Sequence, residues 1–174
     1  MDEFWKKGYE STSLNDLCYC TGLHKGSLYQ AFGDKHQLFM RSLNHYAERE
    51  FRDIASAAYQ QESPLDSIRT VVRMVCEHAD EGRGCLMINS MVELAPHDPE
   101  VREMLAKEGQ RRIGVMTQLL TRAQELGEIR AELDPTRLAQ QLMVGLAGSA
   151  ALVKGLITTE EVMSLLESMI DLWT

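Results

Sequence analysis

The sequence predicts an all-α protein, and three observations carry that prediction. Strand signals are nearly absent, because no run of alternating β-branched and polar residues bounded by turn clusters occurs in the 174 residues. Three of the four prolines follow a capping residue, in Ser63-Pro64, Asp98-Pro99 and Asp134-Pro135. There the missing N–H falls on a first-turn position that has no helical partner in any case. Ser13 with Asp16, Asp34 with Gln37, and Thr158 with Glu161 stand at capping-box spacing and mark three further helix starts.

Taken in order, the expected helices cover residues 1–7, 13–20, 24–32, 35–60, 64–81, 86–94, 99–127, 135–155 and 159–173. The fourth carries Leu38, Phe39, Leu43, Tyr46, Ala47, Phe51, Ile54 and Ala58 at three- and four-residue steps. That is an apolar stripe on a rod of about 35 to 40 Å, long enough to couple distant sites. Gly82-Arg83-Gly84 ends the fifth helix, and Ala95-Pro96-His97-Asp98 separates the sixth from the seventh. There is no internal repeat or low-complexity tract.

Composition excludes several classes. Hydrophobic residues at 44% and charged residues at 25% are ordinary for a globular chain. No run of about eighteen uncharged apolar residues exists, so no spanning helix is expected. The acidic start Met1-Asp2-Glu3 is unlike a secretory signal, so a cytoplasmic location is expected. The four cysteines, Cys18, Cys20, Cys76 and Cys85, form no Cys-x-x-Cys pair and no zinc spacing with histidine, and reduced thiols are expected. No metal or cofactor is implied.

The net charge of −8 argues, taken alone, against a nucleic-acid binder. Its distribution is uneven. Residues 1–46 hold Lys6, Lys7, Lys25, Lys35 and Arg41 against Asp2, Glu3, Glu10, Asp16 and Asp34, and so are neutral. The surplus acid lies wholly in residues 47–174, which points to two parts with different tasks.

The first part contains a helix, the turn Cys20-Thr21-Gly22-Leu23, and a second helix, the spacing of a helix-turn-helix. Leu14, Leu17, Leu23, Leu28 and Phe32 are expected to hold the two helices over a small core. The second helix then presents His24, Lys25, Gly26 and Ser27, short or basic groups suited to a major groove. Tyr29 offers a phenol to a phosphate oxygen. Lys35, in the first turn of the following helix, also suits a phosphate, as do Ser13 and Asn15 at the first motif helix.

The stretches Gly8-Tyr9-Glu10-Ser11-Thr12-Ser13-Leu14, Thr21-Gly22-Leu23-His24-Lys25-Gly26-Ser27-Leu28-Tyr29 and Phe32-Gly33-Asp34-Lys35 resemble the TetR/AcrR transcriptional regulators. The resemblance is close throughout residues 4–46. It implies a homodimer in which a DNA-binding domain, here residues 1–46, precedes a helical domain, here residues 47–174, that binds a small-molecule effector and dimerises through its last two helices, residues 135–173. It also implies that Lys25, Gly26, Ser27 and Tyr29 are recognition-helix contacts and Lys35 a phosphate-binding lysine, with Ser13 and Asn15 matching the first motif helix. The implied partner is double-stranded operator DNA with a palindromic site. One departure stands out: members of the family usually begin with a longer first helix, often after a basic arm, whereas Gly8 follows only residues 1–7. The expected result is fewer core contacts around Phe4 and Trp5 and no minor-groove arm.

In the second part, Leu138, Leu142, Leu146, Leu152 and Val153, with small residues between Gly145 and Ala151, line one late helix. Val162, Leu165, Leu166, Met169, Ile170 and Trp173 line the last. Pairing of two copies or an intramolecular core satisfies these faces equally by period. Ten methionines are many for this length, and methionine adapts to irregular shapes. Met74, Met91, Met116 and Met143, with His78 as a polar contact, are the candidate effector pocket; core filling is the plainer use of any one of them. Cys85 precedes Leu86-Met87-Ile88 and joins that set, either as an inert small hydrophobe or as a thiol that reacts with electrophiles.

Enzyme signatures are absent: there is no His-Glu-x-x-His, P-loop, Gly-x-Ser-x-Gly or pair of Glu-x-x-His. The rival to a ligand-released repressor is a helical dimerisation protein that binds a small molecule and reads DNA poorly because of the shortened first helix.

Overall fold

A computed structural model describes residues 1–59, 61–78 and 83–174. The described residues form α1 (Asp2–Lys7), α2 (Leu14–Thr21), α3 (Lys25–Phe32), α4 (Lys35–Ala58), α5 (Pro64–His78), α6 (Leu86–Glu93), α7 (Pro99–Glu125), α8 (Pro135–Leu152) and α9 (Thr159–Asp171). The caps read from the sequence set these starts. Ser13 and Thr158 make reciprocal capping boxes with Asp16 and Glu161. Asp34 accepts from Gln37 N at 2.7 Å, and Asp98 and Asp134 accept from first-turn N–H groups beside a proline.

The ends differ more than the starts. The helix expected over 135–155 stops at Leu152, after which Lys154 N and Gly155 N reach back three residues, to Ala151 O and Leu152 O, at 3.3 Å each. The last helix stops at Asp171, and Trp173 N closes onto Ile170 O in the same tight way. The expected continuations at residue 60 and at 79–81, and the Gly82 of the expected break, lie outside the described residues.

Apolar side chains collect in two clusters. In the first, α1 to the middle of α4 pack with α6 and the start of α7, around Phe4, Leu17, Leu28, Phe39, Leu43 and Leu105. The second joins the end of α4 to α5, the rest of α7, α8 and α9, around Ile68, Leu120, Leu142 and Ile170. The 24 residues of α4 run about 36 Å and enter both.

One expectation about these cores, that for Leu23, is corrected. Short as α1 is, it is firmly seated: Phe4 is 1% and Trp5 8% exposed. Phe4 meets Phe39 edge-on with centroids 5.2 Å apart, and Trp5 meets Tyr46 at 5.0 Å, so the aromatic rings rest on α4 and six residues suffice. Leu23, expected in the small core, instead sits exposed in the turn, leaving Leu17 and Leu28 buried with Leu14 and Phe32 half-buried beside them.

Most of the apolar residues expected to pair two copies are also spent within the chain. Leu138, Leu142, Leu146, Val162, Leu166, Ile170 and Trp173 all belong to the second cluster. The large apolar side chains left exposed on α8, α9 and the turns that follow them are Val144, Leu152, Leu156, Leu165 and Leu172.

Candidate nucleic-acid interface and apolar pocket

At the reading end, Ser13 Oγ accepts from Asp16 N at 3.1 Å and donates to the Asp16 carboxylate at 2.6 Å. Lys7 Nζ also donates to Asp16 at 2.7 Å. The Lys7 ammonium first, and Ser13 after it, hold the Asp16 carboxyl well below the usual carboxylate range. Ser13 is therefore engaged as a cap, while Asn15 beside it is exposed. Gly22 turns the chain at φ 69, a left-handed conformation that glycine adopts freely. Thr21 braces that turn by donating to Leu17 O at 2.6 Å while accepting from Leu23 N at 3.3 Å.

Burial of Leu28, which is 0% exposed, fixes which way α3 faces. His24, Lys25, Gly26, Ser27 and Tyr29 are all exposed around it. A methyl group added at Gly26 would meet nothing within 4 Å, so the chain's own packing makes no demand for glycine there. Lys35 stands in the first turn of α4, directly after its Asp34 cap, as the sequence predicts. Its ammonium lies 4.4 Å from the Tyr9 ring centroid and donates to Glu10 O at 3.4 Å. The ammonium has two further N–H donors that a phosphate could engage.

In the other half, α4 to α8 surround a largely apolar cavity of about 100 Å³. Each helix turns a three- or four-residue stripe inward: Tyr46, Glu50 and Ile54 on α4, Val71, Val75 and His78 on α5, and Gly109, Arg112 and Met116 on α7. Of the expected effector residues, His78, Cys85, Met91, Met116 and Met143 stand in the wall. Met74 does not. It points about 60° away from the line of Val71, Val75 and His78 and packs half-buried against the second cluster. Tyr46 Oη and Cys85 Sγ are 3.7 Å apart, and burial, with the Cys85 thiol after it, drives the Tyr46 hydroxyl far above its ordinary range. Cys76 lies outside the wall, its thiol pushed up to about 11 by burial.

The two sites meet at residues 83–93. Trp5 Nε1 donates to Gly84 O at 3.0 Å, while Gly84 also walls the cavity. Gly84 has φ 63, and a methyl group there would stand 2.5 Å from Ala150 O, so no other residue fits. At the far end of α6, Glu93 accepts from Tyr9 N at 3.0 Å and Glu10 N at 2.9 Å. Between these anchors Met87, Ile88 and Met91 face the cavity. His36 Nε2 reaches Asp98 at 2.7 Å and ties the start of α4 to the start of α7. Sequence reasoning missed Tyr46, Glu50, Arg112 and Gly84 at the cavity, and Glu93 at the clamp. The one available signal was Glu50 and Arg112 lying on otherwise apolar helical stripes.

A helix-turn-helix with an outward second helix, joined by a short bracket to an apolar cavity in a helical bundle, defines a one-component regulator. The comparisons agree with this class. The pattern described as "Bacterial regulatory proteins, tetR family" matches residues 1–41, and "Tetracyclin repressor-like, C-terminal domain" matches residues 64–168. The chain belongs to the TetR family of bacterial regulatory proteins. It is similar to the HTH-type transcriptional repressor ComR of Escherichia coli (strain K12), at 28% identity over 99% of this chain and 84% of ComR. The HTH-type transcriptional repressor DhaR of Mycobacterium sp. (strain GP1) is 27% identical over 87% of this chain and 76% of DhaR. Among solved structures, a cysteine-substituted TetR family regulator CifR, complexed with a 26-base-pair double-strand operator DNA, superposes with a TM-score of 0.87. It is 26% identical and covers 99% of this chain and 92% of its own. Among the described residues, no helix is long and apolar enough to cross a membrane.

Proposed function

We propose that this chain is a transcriptional repressor that binds a palindromic operator as a homodimer and is released by a small-molecule effector. It acts in the cytoplasm and catalyses no reaction. Residues 1–46 read DNA; residues 47–174 sense the effector and pair the subunits through residues 135–173. The observation that carries this reading is the bracket at 83–93, where one short segment walls the cavity and is hydrogen-bonded at both ends to the reading domain.

Lys25, Gly26, Ser27 and Tyr29, with His24 at the head of α3, are the groove-facing set, and Ser13, Asn15 and Lys35 serve the phosphates. The exposed Val144, Leu152, Leu156 and Leu165 supply the seam between subunits, which sets two reading helices about 34 to 36 Å apart. An effector that fits the cavity only when α6 moves favours a spacing in which both α3 helices cannot dock. A preference of a few kcal/mol is enough to empty the operator. Firm seating of α1 by Phe4 and Trp5 favours this over the rival reading of a protein with impaired DNA binding.

The test is fluorescence anisotropy on DNA fragments selected from genomic sequence, across a salt series. Wild-type affinity is expected to fall steeply with salt. Lys25→Ala should weaken specific binding by about 1–3 kcal/mol, and Tyr29→Phe by about 1 kcal/mol. Wild-type affinity in both variants refutes the contact assignment.

A further inference from the structure

The cavity wall contains a buried cation whose hydrogen-bonding capacity is not fully used. Arg112 is 8% exposed, its Nε makes no hydrogen bond, and its Nη2 has only a long bond to Ala47 O at 3.4 Å. No ion pair to Arg112 exists among the described residues. Glu108, one turn earlier on α7 and 7% exposed, is not part of the wall; its buried Oε2 lies 3.7 Å from Arg111 and makes no hydrogen bond either. Glu50, the carboxylate in the wall, has His78 Nδ1 3.5 Å from its Oε1 and no ion pair to Arg112. A buried guanidinium with a donor left unpaired is unfavourable, and a ligand that accepts from it completes the site.

We infer that the cavity takes a small carboxylate with an apolar body, its head bound by Arg112 and its body among Met116, Met143 and Ala147. This rests on the effector-pocket reading above and names the ligand class for it. A planar carboxylate matches the fork of a guanidinium edge, whereas a phosphate would bring more charge and hydration into a largely apolar wall. The size follows from the space. About 100 Å³ is less than the roughly 150 Å³ of an apolar cavity that holds benzene, so a body of a few carbons fits as the helices stand and a longer one requires α6 to move.

Isothermal titration calorimetry on the full chain tests this with acetate, butyrate, hexanoate and benzoate, each against its own neutral amide. At least one carboxylate should bind below about 1 mM, and its amide should bind roughly 10- to 100-fold more weakly. Arg112→Met, which keeps the bulk and removes the charge, should abolish that preference. Because the acid-against-amide comparison is made on the wild type, it stands even if Arg112→Met does not fold. Amides binding as well as acids, no carboxylate binding at all, or a preference that survives Arg112→Met each overturns the inference. Operator binding, measured separately, distinguishes the two readings. DNA binding without carboxylate selectivity sinks only the ligand class, and carboxylate selectivity without DNA binding sinks only the repressor.

Discussion

The reading end and the cavity use their residues in opposite ways. The proposed groove contacts, His24, Lys25, Gly26, Ser27 and Tyr29, lie on the outside of one eight-residue helix and its N-cap, exposed around the buried Leu28. The cavity instead draws its wall from elements between Tyr46 and Ala150, and lining residues such as Tyr46, Ile54, Val71, Leu105, Met116 and Leu146 also belong to the two apolar clusters. Function and stability are therefore separable at the first site and entangled at the second. Substitutions on α3 should sort cleanly into those that unfold and those that only stop reading.

Leu28→Ala gives the largest expected effect. It removes a fully buried side chain from the first cluster and should lower stability by about 2–5 kcal/mol in urea unfolding. Ser27→Ala, one residue away and exposed, should stay within about 0.5 kcal/mol of wild type. Similar losses for both would break the contrast between the faces of α3. Gly26→Ala sharpens it. With open space at the added methyl group, this change should raise helix stability by up to about 1 kcal/mol while weakening operator binding. An unaltered operator affinity would show that α3 does not approach DNA closely at that point.

The smallest expected effect lies at the junction between the sites. Burial works to raise the Asp98 carboxyl, but N–H donors from Val101 and Glu100 and the His36 ring outweigh it and hold the group below its ordinary value of 3.8. A lowered native value stabilises the fold above that ordinary value, and the contribution fades as pH falls through the native one. Asp98→Asn should thus flatten the acid side of the stability profile measured by denaturant titration. A profile of unchanged slope would show that this cap is electrostatically idle.

The difference between the sites also explains what the sequence made legible. Helix starts were readable because a cap and its partner lie within three residues, as Ser13 with Asp16 or Thr158 with Glu161. The helix-turn-helix was readable because its turn, core leucines and outward residues fall within one short segment. Helix ends were less so: the tight turns after Leu152 and Asp171 depend on what packs around them. At the cavity, His78, Cys85, Met91, Met116 and Met143 were visible as soft or polar residues on apolar helices. Met74 was visible in the same way and faces elsewhere, since a stripe gives a side of a helix only to within about a quarter-turn. Glu93 carried no local signal, because its partners Tyr9 and Glu10 lie more than eighty residues away.

Gly84 places its carbonyl against the indole of Trp5 and its α-carbon against the carbonyl of Ala150 on α8. If α8 pairs the subunits as proposed, a guest that displaces this glycine should disturb the contact between protomers as well as the grip on DNA. Linkage then obliges the converse: whatever factor the guest imposes on subunit association, association imposes on the guest's affinity. Dilution should retune this sensor.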